Sequence, residues 1–536
     1  MITKLSLVLL PLLAYADLPI HCIYEQVFGR WRLEFTEATE QRQMCGYNSP
    51  DTNAHHFLSY KYDFKAKSST VFEVSPPHLL QEKTEIDSLG YKGDMKWTMV
   101  YDEGIHFHVN DKAGEKNAFA FFQYKPKFHS VQSDKPSKYV SYCDRTRVGW
   151  YHTKKDDKLL YGCFKAYRIA GLDGPKPSRE NQLSMQPEQN VVSADSLVDI
   201  RESPNGKFHF NLSFIDEVNA DPQSSWKAYA HDHLHDKISL LEAYQMLGVS
   251  SYMKPSQKWD RRTYEKRVSL MENDATISLV QSDAPAKELP KNFDWREKVE
   301  DIRAFDQGSC GSCYAVSSTM MSTIRHSIAM SKKEGRFMEL RSGAKLSITS
   351  EESLAPQDVL NCSPANQGCK GGYPFLVGWH AYRHGMTSKM EEEYLGVDLE
   401  NSCKADAKRV KATGYYYIGG HYGAGNEQAL MEDIYEKGPA TVGIDAPSSL
   451  FLYRSGIFNC HKTKHEGTNM KDLHPWEATN HAVLVYGWGE TQSGDKYWIL
   501  KNSWGASWGE KGFFKLPRDG KDQCAITSMP VGISYD

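Results

Sequence analysis

One nonapeptide constrains this chain more than any other: Gln307-Gly308-Ser309-Cys310-Gly311-Ser312-Cys313-Tyr314-Ala315. The run from Tyr314 through Ile324 is rich in apolar residues and free of Gly and Pro, which predicts a helix opening at Cys313. Partial positive charge at a helix N-terminus favours a thiolate over a thiol. The two glycines let the preceding loop turn tightly and bring backbone close to a ligand. The segment therefore reads as an activated cysteine nucleophile. Two other readings fit the same letters: a structural role for Cys310 and Cys313, or a redox or zinc Cys-x-x-Cys pair. Partners elsewhere in the chain decide between them.

His481 stands in Thr479-Asn480-His481-Ala482-Val483-Leu484-Val485-Tyr486-Gly487, a β-rich run that predicts the imidazole at a strand start. Asn502 stands in Tyr497-Trp498-Ile499-Leu500-Lys501-Asn502-Ser503-Trp504-Gly505, where an aromatic and β-branched strand enters a turn. Cys, His and Asn in that chain order supply what thiolate–imidazolium chemistry needs. His481 is expected to take the thiol proton and return it to a leaving amine, and Asn502 to orient the imidazole. Trp504 is expected to cover their hydrogen bond from water. Gln307 offers a side-chain amide, and Cys313 its backbone N–H, to a developing oxyanion. Taken singly, His481 reads as an ordinary histidine and Asn502 as a turn residue; the combination carries the reading.

On these residues the chain resembles the papain family of cysteine peptidases. The resemblance runs from about Leu289 (Leu289-Pro290-Lys291-Asn292-Phe293-Asp294-Trp295-Arg296) to the C-terminus, and includes Asn361-Cys362 and Gly368-Cys369-Lys370-Gly371-Gly372. It implies an α+β fold over 289–536, with a helical lobe and a β-barrel lobe. The interval from Cys313 to His481 exceeds the roughly 130–150 residues typical of the family. Insertions are therefore expected at Ser331–Glu352 and His461–His474, away from the chemistry.

At 536 residues the chain is long enough for two or three units. Residues 1–16 read as a signal peptide: Lys4, the apolar run Leu5–Leu13, and the small-x-small site Ala14-Tyr15-Ala16. That run is too short for a permanent membrane anchor, so a soluble mature protein starting at Asp17 is expected. Phe28–Phe35, Val71–Val74, Trp97–Tyr101, Ile105–Val109 and Ala118–Tyr124 read as strands, predicting an all-β antiparallel barrel or sandwich over 17–169. Residues 170–205 are rich in Pro, Gly, Ser, Gln and Asn and read as a linker. From Phe214 to Gly248 the chain turns helical, with Leu234, Ile238, Leu241 and Tyr244 near helical spacing.

The N-terminal region narrows the resemblance to the cathepsin C (dipeptidyl peptidase I) branch of the family. Asp17-Leu18-Pro19-Ile20-His21-Cys22, Gly29-Arg30-Trp31, Phe119-Ala120-Phe121-Phe122-Gln123-Tyr124, Ser141-Tyr142-Cys143 and Gly149-Trp150 are similar to its exclusion domain. Phe214 to Trp226 is similar to its propeptide. The resemblance implies a thiol protease made as a zymogen that removes dipeptides from free N-termini through a thioester acyl-enzyme. The carboxylate of Asp17 then receives the substrate's α-ammonium group; as a plain chain end it would instead be disordered. It further implies removal of about 170–288 as linker and propeptide, a heavy/light chain cut near 461–475, an activating protease and a homotetramer. The rivals are a papain-type endopeptidase, whose groove the β domain leaves open, and a non-catalytic binding protein on the same fold.

Eleven cysteines behind a signal peptide fit one free thiol and five bridges. By resemblance these are Cys22–Cys143, Cys45–Cys163, Cys310–Cys369, Cys362–Cys403 and Cys460–Cys524, the last with buried free thiols as its alternative. Oxidising surroundings are implied, in a lysosome-like vesicle, a secretory organelle or outside the cell. Asn211 and Asn361 head glycosylation sequons, a pattern that also arises by chance. The family binds chloride through tyrosine hydroxyls near its second substrate pocket. Tyr417 keeps one, but Phe375 stands at the other position and has none, which counts against chloride dependence.

Otherwise no cofactor or metal is expected. His106 and His108 share a strand face, and His231 and His235 a helix face, but neither pair has the further ligands a closed site needs. The glycines of 419–425 lack the Lys and helix of a phosphate loop. A net charge of −4, from 64 basic and 68 acidic residues, leaves no nucleic-acid footprint.

Overall fold

The computed structural model describes residues 22–45, 63–74, 95–126, 139–170, 210–246, 288–460 and 479–536, with short gaps inside these spans. The expected signal peptide, Asp17, Asn211, most of the linker and propeptide, and the cut region 461–475 lie outside the described residues.

Eight antiparallel strands form the N-terminal domain: β1 (Gly29–Phe35), β2 (Ser68–Val74), β3 (Met95–Val100), β4 (Gly104–Asp111), β5 (Gly114–Pro126), β6 (Tyr139–Thr146), β7 (Gly149–Lys155) and β8 (Lys158–Ala170). Their order is β2-β1-β8-β6-β5-β4-β3, with β7 paired to both β5 and β8. Strand alternation builds the core. In β1, Trp31, Leu33 and Phe35 are buried while Arg30 and Arg32 face solvent, the period-two pattern of a sheet with one wet face. Cys22–Cys143 and Cys45–Cys163 close this domain.

The propeptide region contributes helix α1 (Leu212–Ala220) and the short strand β9 (Trp226–Ala228). The continuous helix expected through Leu234 and Ile238 is not formed: residues 232–237 are turns and helical residues resume at Glu242, while Leu241 and Tyr244 lie outside the described residues. Side-chain bonds to other segments override the helical spacing. His231 Nε2 bonds the Tyr453 carbonyl at 2.8 Å, and His235 Nδ1 accepts from the Phe210 N–H at 3.0 Å.

The peptidase domain has the two expected layers. Its helical lobe holds α2 (Cys313–Lys333), α3 (Pro356–Cys362) and α4 (Pro374–Arg383). Pro356 and Pro374 open α3 and α4, where a missing N–H costs nothing. Lys332 and Lys333 end α2 with charge that suits its dipole. The expected insertion Ser331–Glu352 completes α2 and adds a short helix, Phe337–Ser342. The second lobe holds β10 (Phe293–Asp294), β11 (Gly414–Tyr417), α5 (Glu427–Lys437), β12 (Ala440–Ile444), β13 (Tyr453–Gly456), β14 (His481–Glu490), β15 (Lys496–Lys501), β16 (Phe513–Pro517) and β17 (Val531–Ser534). Its sheet runs β11-β17-β12-β14-β15-β16, with β10 on β14. Among the described residues no helix is long and apolar enough to cross a membrane.

The β domain packs on the helical lobe through aromatic residues. Phe119 and Trp150 meet Trp379 of α4 at 6.1 and 5.9 Å between ring centroids. Tyr161 donates to the Arg383 carbonyl at 2.6 Å, and Arg42 to that of Cys362 at 2.7 Å.

Candidate active site

Cys313 is the first residue of α2, held by a pinned loop. The Cys310–Cys369 bridge and the Gly311 N–H on the Cys369 carbonyl, at 2.8 Å, tie that loop to the segment before α4. Gly308 takes a left-handed φ of +59°, a conformation glycine adopts without strain. Gly372 lies so close that an added Cβ would stand 2.6 Å from the Tyr314 ring. The thiol is buried, and Cys313 is the free cysteine among the ten bridged ones.

His481 opens β14 as the strand reading expects. The preceding Asn480 side chain fixes that entry by exchanging hydrogen bonds with the Ala446 backbone, at 2.7 and 3.1 Å. Cys313 lies near this point, where the Ala482 backbone N–H pulls its thiol pKa down. Asn502 follows β15, and its Oδ1 accepts from His481 Nε2 at 2.8 Å. Oδ1 also accepts the Ser503 N–H at 2.8 Å, which fixes the amide's orientation. A carbonyl oxygen only accepts, so Nε2 carries the hydrogen and Nδ1 the lone pair. Nδ1 is buried and has no hydrogen-bond partner among the described residues. Trp504 stacks on the imidazole at 4.9 Å, with Phe451 behind it at 4.4 Å.

Gln307 is fully buried beside this pair. Its Oε1 accepts from the Ser503 hydroxyl, while Nε2 donates to the carbonyls of Cys310 (2.8 Å) and Met246 (3.1 Å). The same Met246 oxygen accepts from Trp504 Nε1 at 3.4 Å. A carbonyl of the propeptide region thus occupies the amide of Gln307. Burial sets the electrostatics: it pushes the Cys313 thiol up to about 11 against the opposing pull of backbone N–H groups. It pushes His481 down to about 4 despite the Asn502 hydrogen bond. Both shifts favour the neutral thiol and neutral imidazole.

The β domain reaches this site through the turn between β3 and β4. Tyr101, at φ +54°, places its hydroxyl 2.6 Å from Thr479 Oγ1, two residues before His481. Glu103 accepts from the Tyr373 hydroxyl next to Gly372. The rings of Tyr373 and Tyr422 flank Tyr101 at 5.1 and 5.8 Å.

Other candidate residues fall elsewhere. Phe375 lies flat on Tyr417 at 4.5 Å and 9°, so an aromatic ring fills the place beside that tyrosine. Asn361 requires a correction as a glycosylation site. It is 1% exposed within α3 and its amide donates to Glu392, so its nitrogen is shielded and engaged. The histidines of the two sequence pairs go to separate partners: His106 to Tyr415, His108 to Asn117, His231 to Tyr453 and His235 to Phe210. Cys362, His384 and Cys403 lie within ligand distance of one another, but both sulfurs are spent in a disulfide. Sequence reasoning missed Met246, Ser503, Phe451 and Tyr394. Only the adjacency of Ser503 to Asn502 gave any local signal for them.

Residues 289–533 match the papain family of cysteine proteases, and 17–168 match the cathepsin C exclusion domain. Similar proteins include cathepsin C of Schistosoma mansoni, 28% identical over 97% of this chain and 95% of that one. Dipeptidyl aminopeptidase 1 of Plasmodium falciparum is 23% identical over 97% of this chain and 94% of its own. Cathepsin S of Bos taurus is 31% identical over 55% of this chain and 81% of that protein. With a nucleophile on a helix start, a histidine on the facing strand and an exclusion domain at the cleft, the chain belongs to the papain family of cysteine peptidases, in its cathepsin C branch.

Proposed function

We propose that the protein is a cysteine dipeptidyl aminopeptidase, made as a zymogen, that removes dipeptides from the free N-termini of peptides and proteins. The observation that carries this reading is the contact of Tyr101 with Thr479, which sets the β domain two residues from His481 at one end of the cleft. A groove stopped there admits only a short N-terminal piece of substrate beyond the scissile bond.

In this reading His481 Nδ1 takes the Cys313 thiol proton. The thiolate attacks the carbonyl carbon of the substrate's second residue, and the oxyanion is met by Gln307 Nε2 and the Cys313 backbone N–H. The C–N bond breaks as His481 protonates the departing amine, leaving a thioester. Water, deprotonated by His481, then attacks the thioester, releasing the dipeptide acid and the thiol. Asn502 keeps Nδ1 aimed at sulfur and Trp504 shields the pair. Asp17 supplies the carboxylate that receives the substrate's ammonium group.

Met246 on Gln307 supports a propeptide, within about 170–288, that must leave before substrate can enter. Cutting near 461–475 into heavy and light chains, an activating protease and a homotetramer complete the reading. End-group sequencing and native mass of the active species test these three points. The ring of Phe375 on Tyr417 supports chloride independence; rates should be equal in chloride and in acetate buffers of matched ionic strength. Five disulfides support passage through the secretory pathway, with a lysosome-like vesicle as the proposed destination.

Dipeptidyl fluorogenic substrates with free and with acetylated N-termini test the activity. Only the free form should be cleaved, and Cys313→Ala should abolish cleavage. Equal cleavage of both forms would mean an endopeptidase instead.

A further inference from the structure

Tyr394 lies between Met386 and α5, outside every catalytic motif, yet its hydroxyl joins the two ends of the loop that leads into Cys313. It donates to the Gln307 backbone carbonyl at 2.8 Å and lies 2.6 Å from Ser312 Oγ. A phenol has one hydrogen, so with that hydrogen on Gln307 the Ser312 hydroxyl must donate to the Tyr394 oxygen. The Phe305 ring packs edge-on against Tyr394 at 4.8 Å, and burial keeps the phenol protonated.

Ser312 is fully buried and is the N-cap of α2, immediately before Cys313. A serine at that position ordinarily turns its oxygen onto backbone N–H groups of the first turn. Here it makes no such bond. The backbone N–H groups of Tyr314 and Cys313, at this helix start, instead pull the Cys313 thiol pKa down against burial and so favour the thiolate. One phenol oxygen therefore holds Gln307 by its backbone and draws the competing Ser312 hydroxyl away from the donors that serve the nucleophile.

We propose that Tyr394 is a positioning residue for the catalytic reaction. It fixes the spacing of the Gln307 amide from the Cys313 N–H and keeps the helix N-terminus uncapped by Ser312. The proposal rests on the cysteine-peptidase reading but not on the dipeptide specificity.

The test uses processed, active protein carrying Tyr394→Phe, Ser312→Ala and both together. Tyr394→Phe keeps the ring and should lower kcat roughly 10-fold, well short of the loss from deleting an oxyanion donor outright. KM should stay within about twofold, and iodoacetamide alkylation of Cys313, which needs no substrate, should show a raised thiol pKa. In that variant Ser312 is free to swing onto the first turn. Adding Ser312→Ala removes the competitor and should recover at least a third of the lost kcat. A Tyr394→Phe enzyme within twofold of the parent in kcat would overturn the proposal. So would a loss confined to KM or explained by a lowered Tm, or a double variant worse than either single one. Unchanged alkylation alongside altered dipeptide specificity would overturn this role while leaving the exopeptidase reading in place.

Discussion

His481 shows how a single ring is given its task. Asn502 takes its Nε2 hydrogen, Trp504 covers its face, and Nδ1 remains as the base. In the covered state this base is poor, because Cys313 rests near a pKa of 11 and His481 near 4. Between those values proton transfer from sulfur to imidazole is uphill. Iodoacetamide should therefore label the uncut protein slowly at pH 7 and faster as pH rises. Removal of the propeptide should accelerate labelling at pH 7 by ~10-fold or more, as water returns to both groups; equal rates before and after would contradict the covering role of Met246. Cys313, His481, Asn502 and Gln307 were legible in the sequence because each sits in a short pattern whose spacing is local. Tyr394 and Met246 were not. Tyr394 acts through bonds to the Gln307 carbonyl and the Ser312 hydroxyl, and Met246 through its own carbonyl, which accepts from Gln307 and Trp504; contacts so far along the chain leave no mark in the residues around them.

At the scale of elements, the propeptide docks as an added strand. β9 pairs with β13, Trp226 packs on Phe458 at 4.8 Å, and Tyr229 donates its N–H to the Leu452 carbonyl at 2.7 Å. His231 extends this seam, and burial lowers its pKa to about 4, with His233 and Arg454 adding to the depression. An imidazole lowered on docking takes its proton in the released state first. Its contribution is whole above about pH 6.5 and is lost as pH falls toward 4, by about 3 kcal/mol at most. Propeptide release, followed as cleavage within 170–288, should accelerate over that window. His231→Gln, which keeps a donor for Tyr453 but cannot titrate, should flatten the profile; an unchanged profile would exclude His231 as its source. The strands of the β domain were legible because alternation such as Trp31, Leu33, Phe35 is itself the fold signal. The spacing of Leu234 and Ile238 misled: 232–237 form turns, with the His231 side chain bonded to Tyr453 and that of His235 to Phe210.

Across the whole molecule, the β domain rests on both lobes of the peptidase domain, the contact on which the exopeptidase proposal stands. Tyr101 and Glu103, on one turn, touch Thr479 and Tyr373 on opposite lobes. Tyr101→Ala should lower turnover of free dipeptidyl substrates several-fold and raise cleavage of acetylated peptides, since water and longer chains gain the vacated end. Loss of both activities in proportion would mean that the turn is only structural. That turn was visible in the sequence as a strand end at Tyr101, but its reach to the histidine strand depends on how Trp379 seats the domain.

The disulfide map decides which pieces stay together after maturation. Two bridges lie inside the β domain, two inside the helical lobe, and Cys460–Cys524 straddles the region 461–475. A nick there leaves its two fragments covalently stapled. In the proposed processing, excision of 170–288 leaves the β domain attached to the enzyme by surface contact alone. In detergent without reductant the mature protein should separate into two bands, and with reductant into three, so its specificity is a non-covalent property that dissociation can erase while the nucleophile survives.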